Sequence, residues 1–211
     1  MDIFANLSLP SLTLAQLLYR LVAVVVVIGV YGWAVAYLAD RLGDPGPRYD
    51  GRRTLNPLTH LDVIGLVFGL FFRVTWIPRV DVDVTKVRGR VGGAVIVAVG
   101  ASALLAFVSL TALFVRPWLL SLLPNDAALL ASALLNTTAD IAIVTALVQL
   151  LPFPPFVGAL LLSSADRWKA VWNGPTARWI GVVVVVLAGL SGWLPRLVSV
   201  VTRSWRSLLG F

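Results

Sequence analysis

Long runs of uncharged, apolar residues divide this sequence, and they constrain its fold more than any other feature. Residues 21–39, 91–115 and 179–195 carry no charge, and residues 127–165 carry one, Asp140. A helix needs about 20 apolar residues to cross a hydrocarbon layer of about 30 Å. The mean hydropathy of +0.91 agrees with such spans. We therefore predict an all-α, polytopic membrane protein with about four transmembrane helices.

Two further apolar stretches are too short to cross a membrane. Residues 61–72 form one; residues 156–165 form the other, after a cluster of prolines that should end the preceding helix near Leu151. We predict that both are re-entrant or interfacial helices, whose ends are tolerated at membrane depth only where protein or water covers them. We also expect a small strand pair around residues 80–82, within a single membrane domain covering residues 1–211.

The charges indicate an orientation. Nine lysines and arginines fall within residues 40–90, whereas residues 116–126 contain one, and the whole chain has a formal net charge of +7. Because basic loops favour the cytoplasmic side, we predict that segment 40–90 is cytoplasmic. The arginines of residues 166–211 conflict with this rule if residues 179–195 span, so this part is predicted as transmembrane or interfacial. The dispersed charge indicates contact with anionic lipids and not with nucleic acid.

Several residue types are absent or nearly so. The chain has no cysteine and no glutamate, all ten acids are aspartates, and His60 is its one histidine. These absences exclude a disulfide framework, a cysteine nucleophile, an iron–sulfur cluster and a His-Glu-x-x-His zinc helix. A Ser-His-Asp triad would require His60 as its base.

One stretch, residues 42–65, contains three motifs in close order. The motifs are a Gly-Asp-Pro turn, the run Gly51-Arg52-Arg53-Thr54-Leu55-Asn56-Pro57-Leu58, and the His60-x-Asp62 pair. With them the stretch resembles the segment that follows the zinc helix in the compact bacterial site-2 proteases, which are intramembrane zinc metalloproteases. The resemblance extends over about residues 30–165 and implies a site-2-protease-like core in a bacterial inner membrane.

The positions that carry chemistry in that family are replaced. By the resemblance, the His-Glu-x-x-His motif falls on Tyr31, Gly32 and Val35, and the aspartate ligand falls on Val157. Catalytic zinc needs about three protein donors and an open position for water, and the metal makes that water a nucleophile. These replacements predict no zinc, no general base and no peptidase activity. We expect aromatic and aliphatic side chains to fill the former cavity.

Other residues in the spans have two interpretations each. Asp140, beside Asn136, is either a functional ionisable group or a helix-packing acid that bonds its neighbours or a basic residue. His60 and Asp62 form either a weak metal pair or, as we predict, caps of the short helix from residue 61. Trp33 either fills the vacated space or presents its ring to a partner or to a bound quinone or pigment.

Gly65 and Gly69 form a small-residue pair that allows close helix contact, within the chain or between chains. No cofactor is predicted, although a bound lipid, quinone or pigment stays open. Our leading hypothesis is an inactive site-2-protease-like protein that serves as a structural or accessory subunit of a larger membrane protein complex, respiratory or photosynthetic. The alternatives are a pseudoprotease regulator or chaperone of membrane clients, and a transporter or enzyme that uses Asp140 or His60.

Overall fold

The computed structural model describes residues 12–163 and 175–210, and these ranges are helical apart from short connections. The helices are α1 (Leu14–Arg41), α2 (Gly46–Tyr49), a 3₁₀ helix (Pro57–His60), α3 (Val63–Phe72), α4 (Val91–Leu122), α5 (Asn125–Val148), α6 (Ala159–Ser163), α7 (Pro175–Leu190) and α8 (Trp193–Leu209).

Helix α1 is the central element. It begins at a capping box in which Thr13 and Gln16 each accept a hydrogen bond from the other's backbone N–H. Its most apolar part is 56% buried, against 39% for α4 and 33% for α5, so α1 contributes most to the core. Helices α4 and α5 run antiparallel and both pack on α1. Along their contact, the Ser109 hydroxyl donates to the Ala139 carbonyl over 2.8 Å.

The connection between α4 and α5 is shorter than predicted. Residues 116–126 were expected to form an external loop, but α4 continues to Leu122 and α5 begins at Asn125. Pro117 lies inside α4, where it removes one backbone hydrogen bond without ending the helix. The 32 residues of α4 measure about 48 Å. Helix α4 is therefore longer than the thickness of a hydrocarbon layer, about 30 Å, so its end can extend beyond that layer.

Helix α3 runs back along α1 in the opposite direction. Its start follows His60, which packs on Gly32, and near its end Gly69 packs on Val24. Arg20 of α1 donates to the carbonyl of Leu70 over 2.6 Å. Helix α3 thus reaches the Arg20 end of α1, opposite the end from which segment 40–90 departs. The prediction that segment 40–90 is cytoplasmic assumed a single loop at one end of α1. The structure differs, because α3 carries part of this segment to the other end of α1.

The chain then returns through a buried, non-helical segment. Val74, Thr75, Trp76 and Ile77 are at most 2% exposed, so protein covers this irregular backbone. Near its end, Val82 donates its N–H to the Val80 carbonyl over 2.9 Å, which makes a tight turn. The strand pair predicted here is wrong, because the described part of the chain contains no strand.

The C-terminal apolar run is broken. Helix α7 has 16 residues, about 24 Å, and is too short to span alone. Gly192, with φ of 75°, precedes α8, which is bent by 79° from α7. Among the described residues, three helices are long and apolar enough to cross a membrane, or up to four if this bent pair counts as one span. The predicted all-helical, multi-pass architecture is confirmed in this coarser form.

The other sequence predictions about elements have mixed outcomes. The short helix expected over residues 61–72 is α3, and α5 ends at Val148, close to the predicted end. In the stretch 156–165 the structure describes α6 and the turn before it, and residues 164–165 lie outside the described ranges. Trp76 is fully buried, and Trp205 is partly buried against the cluster of Ala112, Leu113 and Ala139.

Candidate functional site

The four residues onto which the family resemblance places the catalytic positions, Tyr31, Gly32, Val35 and Val157, are all buried. Helix geometry places Tyr31 and Val35 on one face of α1, one turn apart. Both are buried in the same apolar cluster as Val157. The turn that carries Val157 is fixed by Gln149, whose side-chain oxygen accepts from the Val157 N–H over 3.1 Å and whose carbonyl accepts from the Gly158 N–H over 2.8 Å.

The imidazole of His60 occupies the space beside Gly32. A Cβ atom at position 32 would lie 2.2 Å from both Cγ and Nδ1 of His60, which is far closer than atoms can approach. The ring is held there by a 2.9 Å hydrogen bond between its Nε2 and the Thr54 carbonyl. Any side chain at position 32 therefore requires His60 to move. Of the two residues predicted as caps, only Asp62 caps α3, whereas His60 bonds loop backbone at Thr54.

His60 is fully buried, and this burial has an electrostatic effect. Removal from water lowers the pKa of the imidazole below its usual value, and the nearby positive charge of Arg52 acts in the same direction. The hydrogen bond to Thr54 opposes this shift without reversing it. His60 is therefore held in its neutral form.

The elements around the cluster carry buried polar atoms that lack hydrogen-bond partners. An unsatisfied buried group costs about 1–3 kcal/mol, and bound water commonly relieves it. These atoms belong to neutral hydroxyl, amide and imidazole groups, which bound water can satisfy. They are His60 Nδ1, the Thr145 hydroxyl and Gln149 Nε2, whereas the Tyr31 and Ser102 hydroxyls bond each other.

These residues do not fit the zinc ion that the family resemblance implies. Valine has no lone pair to donate, glycine has no side chain, and a protonated tyrosine hydroxyl is a poor zinc donor. Within the described ranges, no group of three or more histidines and acids is placed to hold a metal ion. No metal-dependent step can be assigned to this cluster.

Asp62 links two helices. Its Oδ1 accepts from the Gly65 N–H over 3.0 Å and so caps α3, which begins at Val63. Its Oδ2 accepts from Arg178 of α7 over 2.8 Å. The predicted capping role of Asp62 is confirmed. His60 and Asp62 bond different partners, so the structure does not form them into a metal pair.

Asp140 is ion-paired with residues from two other elements. Its Oδ1 lies 2.7 Å from Arg206 of α8, and its Oδ2 lies 3.7 Å from Arg73 at the end of α3. Asn136 donates weakly to the Ser132 hydroxyl over 3.4 Å. The interpretation of Asp140 as a packing acid bonded to a basic residue is thus supported, and its partners were not identified from the sequence.

The helix-contact candidates make contacts within the chain. Gly65 lies against the backbone of Trp76, and Gly69 lies against the side chain of Val24. Trp33 is half-buried at the edge of the core and stacks on Tyr37 with ring centroids 5.0 Å apart. Of the two aromatic residues, Tyr31 is fully buried in the core cluster, whereas Trp33 packs against its edge.

The sequence interpretation missed Asp44. This carboxylate is 1% exposed and accepts from the N–H groups of Gly46, over 3.0 Å, and Asp83, over 2.7 Å. It therefore fastens the return of the buried segment to the turn after α1. The Gly-Asp-Pro motif was the available signal, since an aspartate in such a turn commonly bonds nearby backbone.

No protein-family model matches this chain, and no match was found among curated proteins or solved structures.

Proposed function

We propose that this protein is a catalytically inactive relative of the site-2 proteases and acts as a structural or accessory subunit of a larger complex in a bacterial inner membrane. A respiratory or photosynthetic assembly is the setting we favour. One observation carries the proposal. The positions that would hold zinc and its general base lie together in the core, yet they supply only Tyr31, Gly32, Val35 and Val157, and the His60 ring covers Gly32.

The arrangement gives a physical reason for inactivity. Hydrolysis by the family's mechanism needs a metal-bound water and a group that takes its proton. Gly32 stands at the base position, and His60 beside it is buried and bonded through Nε2 to a backbone carbonyl. A Ser-His-Asp arrangement is not supported either, because the Nδ1 of His60 has no hydrogen-bond partner and so no aspartate orients the ring.

The two buried acids near the C-terminal helices are used for internal bonding, which favours a structural role over transport. Asp140 and Asp62 each bond an arginine of these helices. The apolar surface of α4 includes exposed side chains, with Phe107 63% and Trp118 77% exposed. Such a surface suits lateral contact with the helices of neighbouring membrane proteins.

Zinc content tests the inactivity directly. We expect the purified full-length protein to contain far less than one zinc ion per chain by elemental analysis, and to bind none on dialysis against zinc. Stoichiometric zinc bound in the core would contradict the inactive assignment.

Site-specific photocrosslinking in native membranes tests the subunit role. A photoreactive residue at Phe107 or Trp118 should crosslink to one or a few defined proteins. The same residue at Val63, which is also exposed but lies on α3, serves as the control for random encounters. Crosslinks to many unrelated proteins, equal at all three positions, would contradict a subunit role and favour a regulator that meets changing clients.

A further inference from the structure

An apolar cavity of about 460 Å³ lies between the end of α5, the proline turn and the helices α7 and α8. All of its lining side chains are aliphatic or aromatic, and its volume is in the range of small-molecule sites. A ligand that fills it must therefore be hydrocarbon. Among the lining residues are Leu147, Val148, Phe153, Ala188, Leu197 and Val201.

Three arginines from α1, the end of α3 and α8 lie near one another beside Asp140. Asp140 faces both Arg73 and Arg206. Arg20, bonded to the end of α3, is close enough to Arg73 for their charges to repel. One carboxylate thus serves two guanidinium groups, with a third positive charge nearby. The side chains of Arg73 and Arg206 are 40% and 31% exposed, so both can bind a further anion.

The cavity and the arginines are close enough for one amphiphile. Val201 lines the cavity, and Arg206 follows five residues later on α8, about 7.5 Å along the helix. On α5, Asp140 precedes the cavity residue Leu147 by seven residues, about 10 Å. Charge at one end and an apolar cavity at the other are the two features that a phospholipid requires.

We propose that this part of the protein is a binding site for one anionic phospholipid, with its phosphate at Arg73 and Arg206 and one acyl chain in the cavity. The excess positive charge selects an anionic lipid over a zwitterionic one. A quinone is a poorer fit, because its carbonyl oxygens would find no polar partner among the cavity residues. This proposal does not depend on whether the protein is a subunit of a complex.

Native mass spectrometry of the full-length protein, with defined lipid added in detergent, tests the site. Because the choline cation of phosphatidylcholine is repelled by the arginines, phosphatidylglycerol with the same chains should bind about tenfold more tightly, a difference of about 1.4 kcal/mol. Equal binding of the two lipids would overturn the proposal. Inorganic phosphate at millimolar concentration should not displace the lipid, and full displacement would show a simple anion site instead.

Two variants locate the lipid. The triple variant Arg73→Gln, Arg206→Gln and Asp140→Asn removes the charges without leaving a lone carboxylate, and it should abolish the preference for phosphatidylglycerol. Arg203→Gln, an exposed arginine on α8, lowers the net charge equally and should retain the preference. Ala188→Phe fills the cavity and should weaken both lipids. An unchanged preference in the triple variant, or unchanged binding in Ala188→Phe, would overturn the assigned position.

Discussion

The His60 ring fills the space beside Gly32 in the core. That space can hold either the ring or a side chain at position 32, but not both. The Cβ of any larger residue at position 32 would lie 2.2 Å from the ring. The ring in turn cannot withdraw without losing its 2.9 Å bond to Thr54. A reversion of position 32 toward an acidic residue would therefore need a compensating change at His60.

Gly32→Ala should lower the free energy of unfolding by about 1–3 kcal/mol, the usual cost of overpacking a core. The double variant Gly32→Ala with His60→Ala should lose less stability than the sum of the losses in the two single variants, because the second change makes room for the first. Chemical unfolding in detergent measures both. Gly92→Ala is the control, since nothing lies within 4 Å of that position. Strictly additive losses would show that the two residues do not compete for space.

The pKa of His60 predicts a pH dependence of stability. Burial lowers this pKa in the folded state, whereas the unfolded chain titrates near about 6.5. Between the two values the unfolded state binds more protons, so stability is full above about pH 6.5 and falls as the pH is lowered through that range. Because His60 is the chain's one histidine, His60→Gln should flatten the dependence of the thermal midpoint between pH 5 and about 7. Identical slopes in both proteins would rule out this origin.

At the scale of elements, Asp140 holds α8 on the bundle. Arg206 bonds Asp140 over 2.7 Å, and the indole N–H of the preceding residue, Trp205, donates to the Ser109 hydroxyl over 3.0 Å. The exposed face of α8 carries Arg203 and Arg196. The helix is thus attached through a few polar bonds in addition to its apolar face.

Asp140→Asn should loosen α8 and cost about 1–3 kcal/mol, the range for a hydrogen bond to a charged group. Arg206→Gln should cost a similar amount, and the double variant should cost less than the sum because each single change leaves a charge without its partner. Limited proteolysis of α8 and thermal unfolding measure the effects, with Arg203→Gln as the matched control. If Arg203→Gln is as damaging as Arg206→Gln, the ion pair is not what holds α8.

The elements differ in how far they could be predicted. Helices α1, α4 and α5 followed from their apolar runs, because a spanning helix satisfies its own backbone hydrogen bonds whatever its neighbours are. The path of the buried segment around Trp76 did not follow, since it depends on the close approach to Gly65. An apolar run indicates burial without indicating which neighbour provides it.

The candidate site residues also differ in how far they could be predicted from the sequence. From the family resemblance, the sequence predicted no zinc donor at Tyr31, Val35 and Val157 and no general base at Gly32, and this stays a prediction. The partner of Asp140 was not predicted, because 66 residues separate it from Arg206, and no periodicity connects them. The position of His60 against Gly32 likewise exists only after α1 and the 3₁₀ helix pack together.

At the scale of the whole molecule, the proposed orientation predicts that the end of α1 lies on the cytoplasmic side of the membrane and that the end of α4 lies on the opposite side. The chain has no cysteine, so single cysteines can be introduced cleanly. Tyr49→Cys, which is 81% exposed after α1, should react with an impermeant thiol reagent only when the cytoplasmic side is open. Asp126→Cys, between α4 and α5, should react in intact spheroplasts. Reversed labelling would contradict the orientation but not the fold.

The central claim is that an inactive protease scaffold serves as a subunit. Its most direct test is to identify the proteins that co-purify with this protein. Native membranes should be extracted gently, and the protein followed by native electrophoresis and mass spectrometry of the band that contains it. We predict a stable assembly in which the protein is present in fixed stoichiometry with other membrane proteins. Recovery only as a free monomer would contradict the account.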